Sequence, residues 1–160
     1  MPEAASVVVE ARLARLGLTL PDAPSPAANY VPAVIAKGLI FIAGQAPVRD
    51  GKYAFAGRVG SEIGLEDAQA AARLCGLNIL AQVKAAVGGD WSRVKRCVRV
   101  CGYVSSAPGF FEQPRVLDGC SDLMVQALGE AGRHARSALG VAALRGNVPV
   151  AVDAIFELAD

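Results

Sequence analysis

The chain has 160 residues and a formal net charge of +1 at pH 7. This length fits one domain with a sizeable core, and the balanced charge argues against a nucleic acid or an anionic membrane as partner. Its 53% of hydrophobic residues exclude a disordered chain. No apolar run is long enough to span a bilayer and the first residues do not form a signal peptide, so we expect a cytoplasmic protein.

The first part of the chain predicts a helix, a connector and a hairpin. Apolar residues at helical spacing predict a helix over 3–16. Prolines in the segment 20–26 exclude regular structure and predict an extended connector. Two apolar segments, 31–35 and 39–43, flank a Lys-Gly turn and predict a β-hairpin.

The rest of the chain alternates helices and strands. An Ala- and Leu-rich segment predicts a helix over 65–87, and a second amphipathic helix is predicted over 113–130. Strands are predicted over 94–105, 137–143 and 148–158, the last with one continuous apolar face. Two helices covering one face of a mixed sheet give an α+β sandwich.

Alternation within the segment 94–105 assigns its side chains to two faces. Val98, Val100 and Val104 are expected on one face, with Arg99 and Tyr103 on the other.

The cysteines do not form a metal-binding pattern. Cys97 and Cys101 are expected on one face of the strand, about 13 Å apart, too far for a disulfide or a shared zinc. Cys75 and Cys120 stand alone, and His134 is the only histidine. We therefore expect buried, reduced thiols and no metal site.

One arginine stands out near the C-terminus. The segment 134–141 reads His-Ala-Arg-Ser-Ala-Leu-Gly-Val, so Arg136 lies in an otherwise small and apolar strand. A guanidinium held by a strand presents a planar fork of donors that fits a carboxylate bidentately. The pattern indicates carboxylate binding, although a solvent-facing or interface arginine also fits it.

This segment resembles the C-terminal signature of the reactive intermediate deaminase family, also called Rid or YjgF-like and labelled endoribonuclease L-PSP. The segments 29–34, 39–47 and 116–119 match the family in the same order and spacing. The resemblance covers about residues 26–157.

The resemblance implies a single domain over 1–160 with a chorismate-mutase-like fold: a mixed sheet with two main helices on one face. Residues 1–17 are then an additional N-terminal helix. The family assembles as a homotrimer with ligand clefts between neighbouring subunits. It needs neither a metal nor an organic cofactor, so the implied partners are a small-molecule carboxylate and further copies of the chain.

The resemblance also assigns site residues. Arg136 binds the carboxylate of a 2-imino or 2-oxo acid, and Tyr30 lines the cleft. Ala43 and Gly44 offer small side chains and backbone groups near the ligand. Asp118 stands where the family often has an asparagine.

Three departures from the family remove polar groups from the cleft. Ala151 stands where imine-hydrolysing members carry a glutamate, Ala43 replaces a serine, and Ala138 replaces a cysteine. Imine hydrolysis needs a positioned water and proton transfer. The remaining catalytic candidates are Asp153, on the same strand face as Ala151, and Asp118.

Each of these residues also has a structural interpretation. Tyr30 fits the edge of the core, and Asp118 fits a helix cap. Asp153 could pair with a basic group on a neighbouring strand, and a hydrogen bond to backbone explains His134.

The leading function is hydrolysis of reactive 2-imino acids or enamines to 2-oxo acids and ammonia. The alternative is a non-catalytic module that binds a 2-oxo acid or similar metabolite, which Ala151 favours. An endoribonuclease ranks third, because the basic run Arg93, Lys95, Arg96 and Arg99 contains no aromatics for stacking bases and the chain has no histidine pair.

Overall fold

A computed structural model describes residues 2–160, with side chains from residue 8 onward. Residue 1, the start of the expected N-terminal helix, lies outside the described residues. None of the described helices is long and apolar enough to cross a membrane.

The chain forms three helices and seven strands within the described range. The helices are α1 (Pro2–Arg15), α2 (Leu65–Ala86) and α3 (Gln113–Leu128). The strands are β1 (Ala33–Ala36), β2 (Leu39–Gln45), β3 (Val48–Arg49), β4 (Lys52–Tyr53), β5 (Val94–Ser105), β6 (Ala135–Val141) and β7 (Val150–Leu158).

Five of these strands form one mixed sheet in the order β1-β2-β7-β5-β6, and β3 and β4 form a separate ribbon. All neighbours in the sheet are antiparallel except β5 and β6, which are parallel. The α+β fold with two main helices on one face and an additional N-terminal helix is therefore confirmed.

Strand β7 lies at the centre and shows the predicted alternation. Val150, Val152, Ala154 and Phe156 are buried against the helices, on the side of the sheet that we call the helix face. The strand begins at residue 150 rather than 148, since Pro149 has no N–H to donate to a ladder.

The expected alternation in β5 is wrong at the start of the strand. Val98 is exposed, whereas Cys97 and Val100 are buried. The register between β5 and β7 shifts between Cys97 and Arg99, and such a bulge reverses which face each residue occupies.

The bulge also separates two cysteines that were expected on one face. Cys97 pairs with Phe156 on the helix face, and Cys101 pairs with Asp153 on the opposite side, the open face. All four cysteines are buried and free, as predicted. Burial raises the pKa of Cys97 and that of Cys120 to about 12, so these thiols stay protonated.

The open face carries apolar side chains that no element of the described chain covers. Phe41 pairs with Ile155 across β2 and β7, and Tyr103 pairs with Ala151 and Leu139. Phe41 is 42% exposed and Leu139 48% exposed.

Close packing between the sheet and α3 depends on Gly102. A Cβ at this position overlaps Leu117 Cδ1, so Gly102→Ala is expected to lower the free energy of unfolding by about 1–3 kcal/mol through overpacking. Urea unfolding measures this loss. Gly64→Ala is the matched control, because a Cβ there meets no atom within 4 Å. Equal stabilities of the two variants would contradict this packing.

Candidate functional site

A pocket of about 260 Å³ opens at the end of β7 where the chain enters the strand. We call it the β7 pocket. Its walls come from the connector, the end of β2, Tyr53 of β4, the turn before β7 and the start of β7. The lining residues are Pro24, Ser25, Pro26, Ala27, Tyr30, Pro32, Gly44, Gln45, Ala46, Val48, Tyr53, Leu144, Arg145, Val148 and Ala151.

The pocket brings together three residues that the sequence singled out. Tyr30, Gly44 and Ala151 all line it. A Cβ built on Gly44 meets no atom within 4 Å, so the backbone there faces open space. Ala43 lies next to the pocket without lining it, and its backbone N–H donates to Pro32 O at 2.9 Å. The ligand-binding roles of these residues stay predictions.

Two glutamines that the sequence analysis missed shape this site. Gln45 is 7% exposed, and its Nε2 donates to Ala43 O at 2.9 Å. Gln82 Nε2 donates to Pro24 O at 2.7 Å and thereby ties the connector to α2. The sequence signal for this contact was a polar glutamine between Ala81 and Val83 in an otherwise Ala- and Leu-rich helix.

The pocket also contains a cation that the sequence analysis missed. Arg145 lies in the turn between β6 and β7 and lines the pocket. The Arg-Gly-Asn sequence of this turn predicts a sharp bend, but no local pattern indicates that the bend faces Tyr30.

Arg136 lies elsewhere, on the edge strand β6. It pairs with Val100 and therefore projects from the helix face. Its Nη1 donates to Asp118 Oδ1 at 2.9 Å and to Ser121 Oγ at 3.2 Å. Asp118 is inside α3 rather than at its start, so the helix-cap interpretation is wrong and the carboxylate serves as the partner of Arg136.

Arg136, Asp118, Ser121 and His134 form one hydrogen-bonded cluster. Within it, His134 makes the expected backbone contact. Its Nδ1 lies 2.7 Å from Gly132 O and its Nε2 lies 2.9 Å from Ser121 Oγ. A carbonyl oxygen only accepts, so Nδ1 carries the proton and Nε2 accepts from the Ser121 hydroxyl. Burial is the main cause that lowers the pKa of His134 and favours this neutral form.

Asp153 projects from the open face with a phenol as its partner. The Tyr103 hydroxyl donates to Asp153 Oδ2 at 2.9 Å. The neighbouring Cys101 thiol and then the hydrogen bond to Asp153 raise the pKa of Tyr103, so the phenol remains a donor. Asp153 does not line the β7 pocket, and the suggested basic partner on a neighbouring strand is not found within the described residues. Its catalytic role stays a prediction.

Arg136 and the β7 pocket cannot meet within one chain. Ala151 projects from the open face, whereas Arg136 projects from the helix face. Strand β5 lies between β6 and β7, so the two strands are about 10 Å apart. If both serve one ligand, they must come from different copies of the chain.

Within the part of the chain that the structure describes, no group of three or more His, Cys, Asp or Glu side chains is placed to hold a metal ion.

Residues 10–155 match the family described as YjgF/chorismate mutase-like, putative endoribonuclease. The chain belongs to the YjgF-like family. The match spans most of the chain, from within α1 to within β7.

Individual relatives agree with this membership. Protein TCP17 of Trypanosoma cruzi is 44% identical over 159 residues, which covers 99% of each chain. Atu1372 of Agrobacterium tumefaciens, a protein of unknown function, is 47% identical with a TM-score of 0.93, covering 99% of this chain and 97% of the other. A protein of Shewanella oneidensis MR-1, described as a putative endoribonuclease, is 35% identical with a TM-score of 0.91, covering 94% and 99%.

The neutral His134 predicts a specific pH dependence of stability. Its folded pKa lies below its unfolded value, so its contribution is complete above about pH 6.5 and is lost as the pH falls through the folded pKa. Wild type is therefore expected to lose more stability between pH 7.5 and pH 5.5 than His134→Gln, as measured by urea unfolding. Equal losses in the two proteins would contradict this prediction.

Proposed function

We propose that the chain hydrolyses small reactive 2-imino acids in a cleft between neighbouring copies. The proposal rests on one observation: the β7 pocket and Arg136 lie on opposite faces of the same sheet and cannot serve one ligand within one chain. Neighbouring copies bring the two elements together. The family membership allows small-molecule binding, hydrolase or endoribonuclease functions, and the geometry favours the first two.

The open face supports assembly. Phe41, Ile155 and Leu139 form an apolar surface that stays partly exposed in the single chain. Burying such a surface against further copies removes apolar area from water. A closed homotrimer covers it and repeats the same cleft three times by symmetry.

Arg136 is suited to hold the ligand carboxylate. Its Nη1 is engaged by Asp118 and Ser121, while Nε and Nη2 make no hydrogen bond to the described residues. This second edge of the guanidinium offers two parallel donors for a bidentate carboxylate. Asp118 fixes the orientation of the arginine, so little side-chain freedom is lost on binding.

The reaction needs only water and the bound imino acid. Water attacks the carbon of R–C(=NH₂⁺)–COO⁻, the C–O bond forms, and the hydroxyl proton passes to nitrogen. Cleavage of the C–N bond then gives R–CO–COO⁻ and NH₄⁺. The iminium carbon is already electrophilic, so a site that clamps the carboxylate and orders the water accelerates the step by positioning.

Activation of the attacking water depends on groups around the β7 pocket. Ala151 contributes only a methyl group, and none of the described residues that line the pocket carries a carboxylate or an imidazole. Tyr30 and Tyr53 can orient a water through their hydroxyls. The proposed proton acceptors are two aspartates. Asp153 lies two residues beyond Ala151 on the same face, and Asp118 comes from the neighbouring copy together with Arg136.

The same facts favour a second candidate, a binding module for 2-oxo acids, in which the carboxylate is clamped without turnover. The endoribonuclease function has less support. Lys95 is paired with Glu157, Arg93 donates to Val87 O, and the sole histidine is held neutral between Gly132 and Ser121.

A competition assay tests the proposed hydrolysis. An amino-acid oxidase generates the imino acid, and the protein competes with semicarbazide for it. Wild type should lower the semicarbazone signal, and Arg136→Ala should reduce the rate at least about tenfold because a charge-assisted bidentate contact is lost. Arg133→Ala is the matched control, since Arg133 pairs with Glu130 at an exposed site. Full activity of Arg136→Ala would contradict the assignment.

Ala151→Glu separates catalysis from binding. If only the acid is missing, this variant should be faster than wild type in the same assay because a carboxylate can take up the proton of the attacking water. If it is inert while 2-oxo acids still bind, the binding module is the correct description.

A further inference from the structure

The turn that carries Arg145 is built as a fixed wall of the β7 pocket. Gly146 and Asn147 adopt left-handed conformations with φ of 68° and 54°. A Cβ on Gly146 overlaps the ring of Tyr53, so this aromatic side chain lies directly against the backbone of the turn. The backbone N–H of Gly57 donates to Asn147 O at 2.7 Å and anchors the far end.

Arg145 gives the pocket a net positive charge. It is the only lysine or arginine among the lining residues, and none of them is acidic. Within the described residues, no hydrogen bond or ion pair engages its guanidinium. The family glutamate that would supply an opposing charge is replaced by Ala151, which lines the same pocket.

The two arginines are independent binding groups. Arg136 acts from the helix face of β6 and Arg145 from the turn that follows this strand. In the proposed cleft, one copy supplies Arg145 with the pocket, and its neighbour supplies Arg136. A ligand between them therefore meets one cation at each end.

We propose that the pocket selects 2-imino or 2-oxo acids that carry a second carboxylate, which Arg145 binds at the end distant from the reacting carbon. This inference rests on the proposed function, because it takes the first carboxylate to be held by Arg136. The pocket volume of about 260 Å³ lies below the range of drug-sized sites and suits a short dicarboxylic acid. Tyr30 and Tyr53 add hydroxyl donors for the same group.

Calorimetric titration with two oxo acids of equal carbon number tests the selection. 2-Oxoglutarate and 2-oxopentanoate differ only in the terminal carboxylate. Wild type should bind 2-oxoglutarate at least about tenfold more tightly. Arg145→Gln should remove this preference and leave the affinity for 2-oxopentanoate within about twofold. Arg145→Lys should retain part of the preference, since it keeps the charge without the fork.

Two further variants keep this test separate from that of the proposed function. Arg136→Ala should weaken the binding of both oxo acids by similar factors. Arg15 lies at the end of α1 and outside the pocket, so Arg15→Gln should change neither of the two binding affinities.

Two results would overturn the selection of a second carboxylate. In the first, the Arg145→Gln variant keeps the wild-type preference for 2-oxoglutarate. In the second, this variant loses as much affinity for 2-oxopentanoate as for 2-oxoglutarate. In either case a dependence of both ligands on Arg136 would still support the proposed function. If neither oxo acid binds wild type at millimolar concentration, the selection of a second carboxylate is overturned as well, and the semicarbazide assay then decides the proposed function separately.

Discussion

The pairing of β7 with β2 and β5 is the constraint on which the rest of the structure depends. Side chains alternate between the two faces of a strand, so burial of Val150, Val152 and Ala154 against the helices forces Ala151 and Asp153 onto the open face. The same ladder, carried through β5, places Arg136 on the helix face. The geometry of the candidate site follows directly from this alternation.

The proposed function divides the candidate site between two faces of the sheet and therefore between two copies of the chain. The described residues that line the β7 pocket include the cation Arg145 and no acid, whereas the guanidinium of Arg136 is held by Asp118 and Ser121 on the other face of the sheet. Asp118 both orients Arg136 and neutralises part of its charge, and the proposed carboxylate binds the outer edge of the guanidinium. In the proposed homotrimer, assembly joins this guanidinium to the β7 pocket, which is the arrangement that catalysis by proximity requires.

The sequence predicted the elements whose patterns are local. The observed bounds of β7 and α2 lie close to the predicted ones, because β7 has an unbroken alternation and α2 is rich in alanine. The bulge near Cys97 was not predictable, because a one-residue insertion in a strand leaves the composition unchanged while it reverses the faces. Arg145 was missed for a related reason. Its place in the pocket depends on a turn that packs against Tyr53, a contact between distant segments.

A mixed-oligomer titration tests most directly whether the site is shared between copies. Arg136→Ala removes the guanidinium that is proposed to bind the carboxylate. Gly44→Phe fills the β7 pocket, because a Cβ on Gly44 meets open space. Each variant alone should lose 2-oxopentanoate binding. When the two are refolded together in equal amounts, about a quarter of the sites should combine an intact pocket with an intact arginine from the neighbour in a closed ring. Recovery of about that fraction is the predicted result, and no recovery in the mixed oligomers would contradict a shared site.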